Sequence, residues 1–114
     1  MSITCFIQYK IDPTKQQQFH QYARNWGQAI PACGADLIGY FAPHEGCSQT
    51  AFGVYSLEDL AAYERYRARL REHPLGKKNY DFAQQEKFLL EEKRIFLKNV
   101  SAPHAPFTQE QVQS

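Results

Sequence analysis

Residues 3–11, ITCFIQYKI, alternate between two kinds of side chain for nine positions, and Asp12-Pro13 follows at once. Successive side chains of a strand point to opposite faces, so Ile3, Cys5, Ile7, Tyr9 and Ile11 share one side and Thr4, Phe6, Gln8 and Lys10 the other. The first side is apolar throughout and needs a cover. That cover is encoded next. Asp12 can accept from the free amides of a helix start, and Pro13 suits the first helical position, which needs no donor. Phe19, Tyr22, Ala23, Trp26 and Ile30 then recur at helical spacing, and Pro31 and Gly34 close the helix. A strand answered by an amphipathic helix confines the chain to a sheet with helices on one face.

The remaining elements extend that plan. ADLIGYFA, residues 35–42, and TAFGVY, residues 50–55, read as two strands joined by the loop PHEGCSQ. Ser56 is positioned to cap a second helix, in which Leu57, Leu60, Tyr63, Arg67 and Leu70 fall near one side while Glu58, Glu64, Arg65, Arg69 and Arg71 make a charged, solvated face. HPLGKKNY, residues 73–80, breaks that helix through Pro74 and Gly76; a further helical stretch runs from about residue 79 to 89, and KRIFL, residues 93–97, reads as the last strand. The order is that of an α+β, ferredoxin-like β-α-β-β-α-β fold with a four-stranded antiparallel sheet. Residues 1–98 form this single domain, and residues 99–114, rich in Pro, Gln and Ser, read as a polar C-terminal tail or arm.

Bulk properties exclude several function classes. A formal net charge of +1 leaves no electrostatic footprint for nucleic acid or for an anionic membrane. TAFGVY has the aromatic-glycine look of RNA-recognition strands, which share this element order, but it lacks their leading Lys/Arg-Gly. No apolar run is long enough to span a membrane, and the N-terminus has no basic segment ahead of an apolar one, so the expected location is the cytoplasm. Cys5, Cys33 and Cys47 are odd in number and irregularly spaced, which predicts free thiols. His20, His44, His73 and His104 are scattered, so no metal site is expected. The sequence contains no glycine-rich phosphate loop, Ser-His-Asp ordering or paired catalytic carboxylates, and it calls for no cofactor.

Two candidate sites stand out. The uncovered side of the sheet would carry Phe6, Ile38, Phe52 and Phe96, a patch too apolar to stay in water, which predicts a homodimer through the open sheet face with an enclosed space between the copies. If Leu37, Gly39 and Phe41 face the helices, then Tyr40 faces that space, with His44 at its rim, and Gln8 and Arg94 line it and can hold an anionic group. His44 could move protons near neutrality or ligate a haem iron. GYFAPHEG, residues 39–46, reads more simply as a strand ending in a hairpin turn, with His44 and Glu45 solvated between Pro43 and Gly46.

The succession ITCFIQYKIDP, ARNWGQAIPACGADLIGYFAPHEG, SLEDLAAYERYRARLREHP and FAQQEKFLLEEKRIFL resembles the bacterial NIPSNAP family from Ile3 to Lys98. The resemblance implies a dimeric α+β barrel. That superfamily also holds cofactor-independent monooxygenases and haem-dependent enzymes, and the NIPSNAP branch has no established mechanism, so the resemblance carries the fold further than the chemistry. The activity expected is therefore unassigned: binding of a small, partly apolar molecule in the barrel, with a cofactor-independent monooxygenase or isomerase acting on an aromatic or lipophilic substrate, or a haem-binding protein, as alternatives.

Overall fold

The alternation of residues 3–11 is realised as β1, Ile3–Ile11, a central strand of the sheet. The structure is a computed structural model and describes residues 2–101. A short 3₁₀ turn, Pro13–Lys15, leads into α1, Gln16–Ala32, and is followed by β2, Asp36–Phe41, β3, Thr50–Leu57, α2, Leu60–Glu72, α3, Pro74–Glu86, and β4, Leu89–Leu97. The four strands form one antiparallel sheet in the order β2-β3-β1-β4. This is the ferredoxin-like arrangement, in which each helical crossover skips one strand.

The caps explain the element starts. Asp12 Oδ1 accepts from the Thr14 amide at 2.9 Å, and Pro13 opens the turn as its residue type allows. The second helix begins later than Ser56. That residue stays in β3, its Oγ 2.9 Å from Thr4 Oγ1, and Asp59 caps α2 by accepting from the Ala62 amide at 2.8 Å. The expected break at residues 73–80 contracts to His73 alone. Its Nδ1 accepts from the Leu75 and Gly76 amides at 3.2 and 3.4 Å, and Pro74 takes the first helical position. Gly76 lies inside α3 because a Cβ there would sit 2.6 Å from the Leu70 carbonyl oxygen; the glycine lets the two helices meet at a tight elbow.

The helices cover the face of β1 that carries Cys5, Ile7, Tyr9 and Ile11, all buried against Phe19, Tyr22, Trp26, Ile30, Tyr66, Leu70 and Phe88. The opposite face carries Phe6, Phe52, Val54 and Phe41, with the Phe6 and Phe52 rings 5.2 Å apart. β4 adds Ile95 and Leu97 to it. Phe41 and Ile95 are each 51% exposed.

Two strand phases differ from the sequence expectation. β2 carries a bulge: Leu37 pairs with Tyr55 and Gly39 with Val54, so Ile38 is an extra residue. Beyond it the sides exchange, sending Gly39 and Phe41 to the open face and Tyr40 to the helix side. On β4, Phe96 pairs with Cys5 and Arg94 with Ile7. Both therefore lie on the helix side, where the Phe96 ring sits 4.8 Å from that of Tyr63. KRIFL has apolar residues on both of its sides, so its own pattern leaves the phase open and the pairing to β1 decides it. Residues 99–101 are exposed and outside any helix or strand; the rest of the expected tail lies outside the described residues.

Candidate ligand cavity

The helices do not fill the space above the sheet. A cavity of about 230 Å³ remains, floored by Ile7, Tyr9, Tyr40 and Tyr55 and roofed by Tyr22 and Trp26 of α1, Tyr66 and Arg67 of α2, and Tyr80 of α3. Gln84, Glu92 and Arg94 are the exposed members of its wall and mark the mouth on the α3–β4 side.

The aromatic floor is assembled by the sheet. The bulge turns Tyr40 toward the helices, and Gly53 opposite it has no side chain, so the Tyr40 ring lies flat across the strand; a Cβ at Gly53 would stand 2.6 Å from Tyr40 Cζ. The Tyr40 and Tyr9 hydroxyls are 3.0 Å apart and hydrogen-bonded. Burial pushes the Tyr9, Tyr40, Tyr55 and Tyr66 phenols upward, and that of Tyr22 up to about 12. At physiological pH these groups are neutral hydrogen-bonding hydroxyls.

Charge enters from α2 and β4. The Tyr63 hydroxyl accepts from Arg67 Nη1 at 3.0 Å and from Arg94 Nη1 at 3.3 Å, so one oxygen gathers two guanidiniums. Arg94 Nη2 also pairs with Glu92 Oε2 at 3.0 Å. For Arg94, desolvation opposes the charge, but the oxygens of Tyr55, Tyr63 and Glu92 outweigh it and raise the pKa further. Among the residues lining the cavity, two guanidiniums face one carboxylate. Among the described residues, two buried donors lack a well-formed hydrogen bond: Arg67 Nε, and Trp26 Nε1, which lies beside the Tyr22 hydroxyl; both residues line the cavity. An unpaired buried donor costs about 1–3 kcal/mol, which makes this pair the least satisfied polar feature of the described core.

Of the residues singled out from the sequence, Tyr40 and Arg94 line this cavity, on the side of the sheet opposite to the one expected for them. Gln8 does not join them: it pairs with Phe52 and Lys93 and points to the open face. His44 is exposed in the β2–β3 loop and is not part of the cavity wall. Tyr22, Trp26, Tyr66 and Tyr80 pass as ordinary core aromatics in a sequence. Arg67 gives a signal, a cation on the apolar side of a helix. Among the described residues no three of His, Cys, Asp and Glu gather in a metal-holding group, and no helix is long and apolar enough to cross a membrane.

The NIPSNAP family model matches residues 4–103. A search of curated proteins gives no match. Among solved structures, an uncharacterised NIPSNAP-like domain protein from Burkholderia xenovorans is similar, with 25% identity, 96% of this chain and 97% of that chain covered, and a TM-score of 0.72. A NIPSNAP family protein of unknown function from Agrobacterium tumefaciens aligns with a TM-score of 0.75 at 14% identity, over 90% of this chain and 92% of that one. A protein provisionally described as an antibiotic biosynthesis monooxygenase from Nitrosomonas europaea gives a TM-score of 0.66 at 13% identity, over 88% and 99% of the two chains. At that identity the last two likenesses concern the fold alone.

Proposed function

This chain belongs to the NIPSNAP family, and we propose that it is a small-molecule-binding protein whose ligand occupies the cavity between the helices and the sheet. The observation that carries this reading is a pair of buried donors without a well-formed hydrogen bond, Trp26 Nε1 and Arg67 Nε, on two of the residues that line a space of about 230 Å³ that side chains leave unfilled. Native cores seldom combine an unfilled volume with unpaired donors, because each alone is costly. A ligand would relieve both. The volume lies below the roughly 300–1,000 Å³ of sites for drug-sized molecules, which points to a compact ligand.

Binding is favoured over catalysis by the groups available. The cofactor-independent monooxygenase or isomerase reading would use the same cavity, but Tyr9, Tyr22, Tyr40, Tyr55 and Tyr66 are held protonated by burial, Glu92 is paired with Arg94, and no histidine among the described residues lines it. Haem is not favoured in this cavity, which is small and does not include His44, the axial ligand expected from the sequence; His44 is exposed in the β2–β3 loop. The open face, with Phe41, Phe52, Ile95 and Leu97, supports assembly as a homodimer through that face. Three free thiols suit a reducing cytoplasm as the compartment.

The test is ligand-observed NMR with a panel of one-ring aromatic molecules, charged and neutral. Saturable binding to the native chain, lost in Ala83→Met, which fills the cavity from α3, is the expected result. No binding by any member of the panel, or equal binding to Ala83→Met, would refute the cavity as a ligand site.

A further inference from the structure

The polar groups of the cavity are not a random assortment. Burial keeps the Tyr9, Tyr22, Tyr40, Tyr55 and Tyr66 hydroxyls neutral, and among the described residues that line the cavity two guanidiniums outnumber the single carboxylate by one charge. Glu92 neutralises Arg94 at the mouth, where both side chains are partly exposed, at 37% and 29%. Among the described residues, the cavity charge without an acidic partner is that of Arg67.

Arg67 is also posed. Its Nη1 is committed to the Tyr63 hydroxyl at 3.0 Å, and Tyr63 is itself packed edge-on against Phe96. Commitment of Nη1 fixes the guanidinium plane and leaves the Nε–Nη2 edge. That edge presents two parallel N–H groups at the spacing of the two oxygens of a carboxylate. Arg67 Nε on this edge is shut off from water and has no partner. A second donor, Trp26 Nε1, on a residue only 3% exposed, lies beside the Tyr22 hydroxyl without a well-formed hydrogen bond to it. Aromatic rings make up much of the remaining wall: Tyr22 packs against Trp26 at 5.5 Å and Trp26 against Tyr80 at 5.2 Å, both near-perpendicular.

We propose that the ligand class of this cavity is a small organic monocarboxylate, its carboxylate taken side-on by the Nε–Nη2 edge of Arg67, its flat apolar body held among Tyr22, Trp26, Tyr66 and Tyr80, and Trp26 Nε1 donating to an acceptor on the ligand. This inference rests on the cavity being a ligand site and specifies what it selects. The single uncompensated charge matches a monoanion. A dianion such as phosphate would leave one negative charge unmatched in a wall of neutral hydroxyls, at a cost that rises as water is excluded. Trp26 is the only tryptophan in the chain, so its emission reports on the cavity without labelling.

The experiment titrates the purified full chain with benzoate, phenylacetate and hexanoate, with their uncharged amides benzamide, phenylacetamide and hexanamide, and with inorganic phosphate, followed by Trp26 fluorescence and calorimetry. At least one acid binds saturably, at least tenfold more tightly than its amide. In Arg67→Met that preference falls to less than twofold. Arg67→Lys keeps the charge but not the fork and gives an intermediate preference. Circular dichroism melting of both variants establishes that they fold, and if Arg67→Met does not, the acid-over-amide ratio of the native chain and of Arg67→Lys decides. Equal binding of acids and amides overturns the carboxylate proposal and leaves the cavity reading standing. Phosphate competing at the concentration of the best acid also overturns it. No binding by any acid or amide overturns both.

Discussion

The position of Tyr40 depends on the missing side chain of Gly53, and Gly53→Ala tests this directly. The new Cβ would stand 2.6 Å from Tyr40 Cζ, 2.7 Å from Cε2 and 2.9 Å from the hydroxyl oxygen. Carbon atoms are comfortable at about 3.5–4.0 Å, so the ring must retreat by about 1 Å. It has little room to do so, being packed on Tyr9, Phe19 and Tyr22 and tied to the Tyr9 hydroxyl. Overpacking of this kind costs about 1–3 kcal/mol, and loss of the Tyr9–Tyr40 hydrogen bond adds about 1 kcal/mol. Replacing glycine in an ordinary strand conformation returns about 0.4–1 kcal/mol through the unfolded chain. The expected net is a destabilisation of about 2 kcal/mol, read by urea unfolding and as a lower Tm. In a Tyr40→Ala background the clash is absent, and the same Gly53→Ala change becomes neutral or stabilising by about 0.5 kcal/mol. If Gly53→Ala costs as much with Tyr40 removed as with it present, Tyr40 does not lie across Gly53 and the described cavity floor is wrong.

Other perturbations probe the elbow, the open face and the buried phenols. Gly76→Ala should destabilise by about 2 kcal/mol or more, because its Cβ meets the Leu70 carbonyl, which backbone hydrogen bonding prevents from moving; a chemical melt within 0.5 kcal/mol of the native value contradicts this. Phe52→Lys together with Ile95→Lys places charge on the open face while leaving the helix-side core intact, so sedimentation should shift from dimer to monomer with folding retained; a native chain that is already monomeric at micromolar concentration refutes the homodimer. Tyr22 ionises near pH 10 when unfolded and near 12 when folded, so its contribution is complete below pH 10 and is lost as pH rises through 12. Unfolding free energy should therefore fall between those pH values, and Tyr22→Phe should reduce the slope; an unchanged slope means that Tyr22 ionises freely in the native state.

Much of the fold is written locally. Period-two and period-3.6 patterns and the Asp12-Pro13 cap need only near neighbours to act, and they are legible in the sequence for that reason. His73 and Gly76 mislead, because Pro and Gly usually stop a helix, whereas here Pro74 starts one and Gly76 is demanded by a carbonyl on the preceding helix. Strand phase is a long-range property: Phe96 and Arg94 take their side from Cys5 and Ile7, which lie at the opposite end of the described chain. Gln8 and Arg94 therefore look like neighbours in parity yet lie on opposite faces. The cavity is harder still to foresee, since it is the volume that several large aromatics fail to occupy, and no residue marks an empty space. Only Arg67, a cation within an apolar stripe, hints at it.

The extra residue at Ile38 decouples the two ends of its strand. Both ends keep their pairing with β3, yet residues of the same parity before and after it look in opposite directions. Removing Ile38 would close the bulge and leave Tyr40 opposite Gly53 and Phe41 opposite Phe52, so the interior would keep its phenol. A relative without the insertion can therefore carry the same inward hydroxyl one position earlier in its own count, and parity read from the start of this strand misplaces every group beyond the insertion.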